Sequence, residues 1–136
     1  MYFFCSLLIE YLFILSVLRI FAVLSIAIED MKLLLLSSPD FFVEEDKILT
    51  TLFEEGLDVL HLRKPNSEPV YCERLLTLLP QEHHKRIITN DHFYLKEEFD
   101  LKGIHLSRRN PTMPLGYNGI VTRTCYSLEE LAAVKK

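Results

Sequence analysis

Three clusters of polar side chains have the types needed to hold a phosphorylated small molecule: His61, Arg63 and Lys64; Asn90 and Asp91; Ser107, Arg108, Arg109 and Asn110. Arginine and lysine offer phosphate oxygens charge-assisted hydrogen bonds, and arginine often offers two at once. A carboxylate beside them suits a magnesium ion, which commonly takes one or two protein carboxylates together with phosphate oxygens. Each cluster also has a plainer reading. Arg63 and Lys64 would be solvated charge, Asn90-Asp91 a turn and helix cap, and the third cluster a loop. The balance shifts because each cluster directly follows a segment that reads as a β-strand, so parallel strands would deliver all three to one rim.

The elements that must position them alternate as strand and helix from Met31 onward, the pattern of a parallel α/β sheet. Leu33–Leu36 is a continuous apolar run, expected of a strand covered on both faces. Residues 44–55 place Ile48, Leu49, Leu52 and Phe53 on one helical face, with Glu45, Asp46, Glu54 and Glu55 largely elsewhere, and Gly56 is placed to end that helix. "LDVLHLRK" is the second strand. Ser67 is the expected cap of a helix that carries Leu75, Leu76, Leu78 and Leu79 and stops at Pro80. "RIIT" is the third strand, with Asp91 the expected cap of a short helix through Glu98. "KGIHL" is the fourth, and the Pro-, Gly- and Asn-rich "SRRNPTMPLGYNG" after it reads as loop. "IVTRTCY" is the fifth. Ser127 and Glu130 form a capping box opening a helix on Leu128, Leu131, Ala132 and Val134. Side chains alternate along a strand. With Leu60 and Leu62 toward the helices, His61 and Arg63 point into a barrel interior near the C-terminal mouth, where enzymes of that architecture keep their chemistry. "VLHLR" and "GIHLS" echo one another in alternate strands.

The 136 residues suffice for one domain, and a formal net charge of −4 supplies no basic field for nucleic acid. Cys5, Cys72 and Cys125 are scattered and odd in number, which supports neither a disulfide framework nor a zinc site and suits a reducing, cytoplasmic setting. Residues 1–30 stand apart as a leader that is almost wholly apolar through residue 28. It is long enough for a membrane-spanning helix. Glu10 and Arg19 would lie inside the span, where a central charge costs roughly 2.5–3.5 kcal/mol. As a secretory signal it lacks a basic start. The third reading, that translation begins at Met31, is favoured by the strand that follows at once.

In order along the chain, "GLDVLHLRK", "IITNDHFYL", "DLKGIHLSRRN" and "TCYSLEEL" follow the landmarks of a known family. Residues 33–136 resemble the thiamine phosphate synthase and thiazole tautomerase family. Its second strand ends in Gln-x-Arg-x-Lys, its third in Asn-Asp, its fourth reads Gly-x-His-Leu-Gly-Gln-x-Asp, and its fifth ends in Ser-x-His-x-x-Glu-Glu. The resemblance implies an incomplete (β/α)8 barrel, about the first five strands, in residues 31–136, preceded by an apolar N-terminal helix. It implies a synthase that joins hydroxymethylpyrimidine diphosphate to thiazole phosphate and releases diphosphate with the help of Mg2+. On this chain, Arg63 and Asn90 would hold the diphosphate, Asp91 would ligate magnesium, and Thr124 would keep the hydroxyl of the family serine.

Several positions depart from the pattern. His61 stands for the family glutamine among the substrate-binding residues, Pro65 for the lysine, Asn110 for the second magnesium aspartate, and Tyr126 for the tautomerase histidine. Lys64 neighbours the lost lysine but should point the other way. Arg108 and Arg109 add positive charge able to replace a metal contact. Nothing corresponds to strands six to eight, where this architecture places a phosphate site. Three roles follow as expectations: a truncated synthase, a non-catalytic or tautomerase-like relative binding a phosphorylated precursor, and a membrane-anchored degenerate fragment. Two open sheet edges make a homodimer the expected rescue of residues 31–136.

Overall fold

The computed structural model describes residues 32–134. The expected apolar helix of the leader, and the start at Met31, lie outside the described residues. Ten elements follow in the order β1 (Leu34–Leu36), α1 (Glu45–Glu54), β2 (Val59–Leu62), α2 (Pro69–Leu78), α3 (Gln81–His84), β3 (Ile87–Thr89), α4 (Leu95–Glu98), β4 (Gly103–Leu106), β5 (Ile120–Arg123) and α5 (Leu128–Val134). The strands form one sheet in the order β1-β2-β3-β4-β5, every neighbouring pair parallel. This is the α/β arrangement of an incomplete (β/α) barrel. Among the described residues no helix is long and apolar enough to cross a membrane.

The core lies between one face of the sheet and α1, α2 and α4. Leu60 and Leu62 of β2 meet Leu49 and Phe53 of α1, Cys72, Leu75 and Leu76 of α2, and Leu95 of α4. Leu60, Leu76 and Phe53 are 0–2 % exposed, and each such burial contributes roughly 1.5–3 kcal/mol. Alternation within β2 therefore turns His61 and Arg63 to the opposite face. Gly56, at φ 104°, ends α1 in the left-handed conformation that glycine tolerates.

The structure departs from the sequence reading in several local ways. β1 is not covered on both faces, because Leu34 and Leu36 stay about half exposed along an open cleft. In α1, Ile48 is exposed and Glu45 is buried, since Glu45 receives Lys64 rather than water. Ser67 does not cap α2. Glu68 precedes Pro69 at the cap position, and the Ser67 hydroxyl donates to the Lys64 carbonyl instead. Leu78 faces solvent, and a short extra helix, α3, follows Pro80. Asp91 caps no helix, because its carboxylate is taken by groups from β2 and the β4–β5 loop. At α5 the capping box is present: Ser127 Oγ accepts from the Glu130 amide at 3.2 Å, and Glu130 reaches back to the Tyr126 amide at 2.7 Å. Leu128, Leu131 and Val134 of that helix remain exposed, because the described residues place no layer over them.

Candidate functional site

Every strand sends side chains to the face away from the helices, and those at the C-terminal ends line a cleft of about 480 Å3. Leu34 and Leu36 supply its apolar wall, and His61, Arg63, Asn90, His105, Arg109 and Thr124 its polar lining. Parallel register explains the convergence. His61 pairs with Ile88, so Asn90 emerges beside Arg63 at the next inward position. His105 pairs with Thr122, which brings Thr124 to the same rim.

Two imidazoles occupy the floor. The His61 and His105 rings meet edge to face with centroids 5.1 Å apart. His61 Nδ1 lies 3.2 Å from Asn90 Oδ1. His105 is held between two hydroxyls, Thr122 Oγ1 on Nδ1 and Thr124 Oγ1 on Nε2, both at 2.8 Å. Burial pulls the pKa of His61 below the ordinary value of 6.5, opposed by its hydrogen bond with Asn90. Burial does the same to His105, reinforced by the nearby His61.

The rim is cationic and well fixed. Arg63 is set in place by its backbone, whose amide donates to Ser37 Oγ at 2.9 Å while that hydroxyl donates to the Arg63 carbonyl at 3.2 Å. Among the described residues its guanidinium has no acidic partner. Lys64 turns the other way, as alternation requires, and is buried with Nζ 2.6 Å from Glu45 Oε1 and over the Phe41 ring. Asp91 Oδ2 accepts from the Lys64 amide at 2.9 Å. Asp91 Oδ1 accepts from Arg109 Nη2 at 2.6 Å and Asn110 Nδ2 at 3.1 Å. Asn110 Nδ2 also donates to the Asn90 carbonyl at 3.0 Å. Arg108 is drawn out of the cleft, stacking on Tyr126 and pairing with Glu130 at 3.1 Å.

The six side chains to which the resemblance gives substrate or magnesium roles thus lie at one end of the sheet. His61, Arg63, Asn90 and Thr124 line the cleft, and Asp91 and Asn110 form a bonded pair just behind its rim. As magnesium ligands Asp91 and Asn110 do not fit. Asn110 turns a donor toward Asp91, and the same carboxylate oxygen already carries a guanidinium. Among the described residues no three His, Cys, Asp or Glu side chains gather as a metal group. His105, Ser37 and the Arg109–Asp91 pair went unassigned in the sequence. The echo of "VLHLR" in "GIHLS" was the signal for His105, whereas Ser37 acts from 26 residues away and left no local sign.

The sequence matches no protein-family model and no curated protein. Among solved structures, a crystal structure of thiamine phosphate pyrophosphorylase from Bacteroides thetaiotaomicron aligns with a TM-score of 0.74 at 60% identity, over 77% of this chain and 53% of that one. This chain belongs to the thiamine phosphate synthase family. It spans about half the length of that relative. In this member the residues after β2, β3 and β4 form one connected network, in which Asp91 accepts from Lys64, Arg109 and Asn110, and Asn110 also donates to the Asn90 carbonyl.

Proposed function

We propose that this chain acts in thiamine biosynthesis, its cleft receiving hydroxymethylpyrimidine diphosphate at the rim where Arg63 and Arg109 stand. The observation that carries this is the guanidinium of Arg63, which lines the cleft without an acidic partner among the described residues. An uncompensated cation, carried on an anchored backbone at the mouth of a half-apolar cleft, suits an anion. Leu34 and Leu36 offer an apolar wall suited to an aromatic ring.

The reaction proposed is that of the synthase. The bond from the pyrimidine methylene carbon to the diphosphate oxygen breaks, diphosphate leaves with the electron pair, and the thiazole nitrogen's lone pair forms the new bond to the resulting carbon cation. Negative charge grows on the leaving group, so the step gains from positive charge aimed at it before reaction. Arg63 would supply that charge, and Asn90 would fix its neighbour His61 through the Nδ1 contact. A second reading, binding without turnover, is favoured by Asn110, which donates to Asp91 where the family pattern has an acid.

Calorimetry with hydroxymethylpyrimidine diphosphate tests the binding step, and diphosphate release on adding thiazole phosphate separates the two readings. Binding should weaken at least about tenfold in Arg63→Ala, the loss expected of one charge-assisted hydrogen bond. No binding by the unaltered chain, or equal binding by Arg63→Ala, would sink the proposal.

A further inference from the structure

Asp91 and Asn110 occupy the positions that should hold magnesium, yet their hydrogen bonds are those of a closed network. Asn110 Nδ2 donates to the Asn90 carbonyl and to Asp91 Oδ1. Both partners are acceptors only, so turning the amide over would set its oxygen against two oxygens. Asn110 therefore presents its donor side, whereas a magnesium ion requires oxygen ligands. Asp91 Oδ1 is also 2.6 Å from Arg109 Nη2, and Asp91 is 9 % exposed at its side chain. A cation on that oxygen would sit against a like charge in a partly desolvated place, where repulsion is little screened. Glu45 is already spent on Lys64 in an almost wholly buried pair.

Arg109 carries charge where the metal's charge would be. A guanidinium has five N–H donors. Among the described residues Asp91 engages those of Nη2 alone, and Arg109 lines the cleft. Arg108 cannot share the role, since Glu130 and Tyr126 hold it elsewhere. Asp91 and Asn110 then act as positioning residues that aim Arg109, anchored in turn by the Lys64 amide.

We infer that Arg109 takes the cation position at Asp91, so that this chain binds a diphosphate group through Arg63 and Arg109 without a divalent metal ion. The inference rests on the reading of the cleft as a diphosphate site. It is tested on the full chain with inorganic pyrophosphate, by calorimetry in EDTA and in Mg2+, and with Mn2+ alone, by electron paramagnetic resonance. The expected result is pyrophosphate binding in EDTA that Mg2+ does not strengthen, and a Mn2+ signal that remains that of the free ion. Arg109→Gln should weaken pyrophosphate at least about tenfold in EDTA. The double variant Arg109→Gln/Asn110→Asp should begin to retain Mn2+. If Arg109→Gln fails to fold, Arg109→Lys serves, and should bind pyrophosphate more weakly with still no call for Mg2+. Pyrophosphate binding that appears only with Mg2+ would overturn the inference and leave the cleft's proposed ligand standing. So would Mn2+ held by the unaltered chain and released by Asp91→Asn, or an Arg109→Gln affinity equal to the parent's. Pyrophosphate bound under neither condition would remove the diphosphate reading itself, and this inference with it.

Discussion

His61 and His105 meet on the cleft floor from alternate strands, each with a ring nitrogen fixed by a polar neighbour. Folding places both imidazoles where burial holds their pKa below the ordinary 6.5. The unfolded chain then takes up protons before the folded chain does, so these two residues lower stability as pH falls below about 6.5 and do not affect it above. Urea unfolding should therefore give a smaller free energy at pH 5.5 than at 7.5, and the double variant His61→Gln/His105→Gln should flatten that slope. An unchanged slope would show that the acid sensitivity lies elsewhere. At this scale the sequence was informative where a side chain's role depends on its own strand. Alternation alone separates Arg63, on the cleft, from Lys64, buried beside Glu45. It could not show that Arg109 rather than Arg108 meets Asp91, because that choice depends on Tyr126 and Glu130 capturing Arg108.

Between elements, β2 and α1 are joined by a pair the helical pattern conceals. Glu45 opens α1 and reads as solvent-facing acid, yet both its oxygens lie within 2.9 Å of Lys64 Nζ and both side chains are almost wholly buried. Removing one member leaves the other charged and unpaired in the core, which typically costs about 3–5 kcal/mol, whereas replacing both by apolar groups is far milder. Glu45→Ala should lower the unfolding free energy by about that amount, and Glu45→Leu/Lys64→Met should recover most of it. If Glu45→Ala costs no more than an exposed ion pair would, about 0–1 kcal/mol, the pair does not bind β2 to α1. Strand order and parallel pairing were legible from the strand–helix alternation, as was the capping box at Ser127. The start of α2 was not, because Ser67 found a better partner in the Lys64 carbonyl. The four-residue α3 left too short a pattern to read.

Across the described residues as a whole, five parallel strands are enough to build a rim but not to close a barrel around it. Leu34 and Leu36 at one side of the sheet and Ile120 at the other remain about half exposed, and the chain covers only 53% of the relative it resembles. What the described residues do bring together is the set of groups after β2 to β5, and the hydrogen bonds from Lys64 to Asn90 link those after β2, β3 and β4. Gly103 contributes to its closeness: a Cβ there would come 2.3 Å from the Ile120 carbonyl oxygen, so only glycine lets β5 and Thr124 approach β4 this tightly. The central claim is that this rim holds a diphosphate between two arginines. A crystal structure of the chain with hydroxymethylpyrimidine diphosphate tests it most directly. The account predicts the diphosphate in contact with both Arg63 and Arg109, the pyrimidine ring against Leu34 and Leu36, and Arg109 still paired with Asp91. Diphosphate bound away from Arg63, or a cleft left empty at saturating ligand, would contradict it.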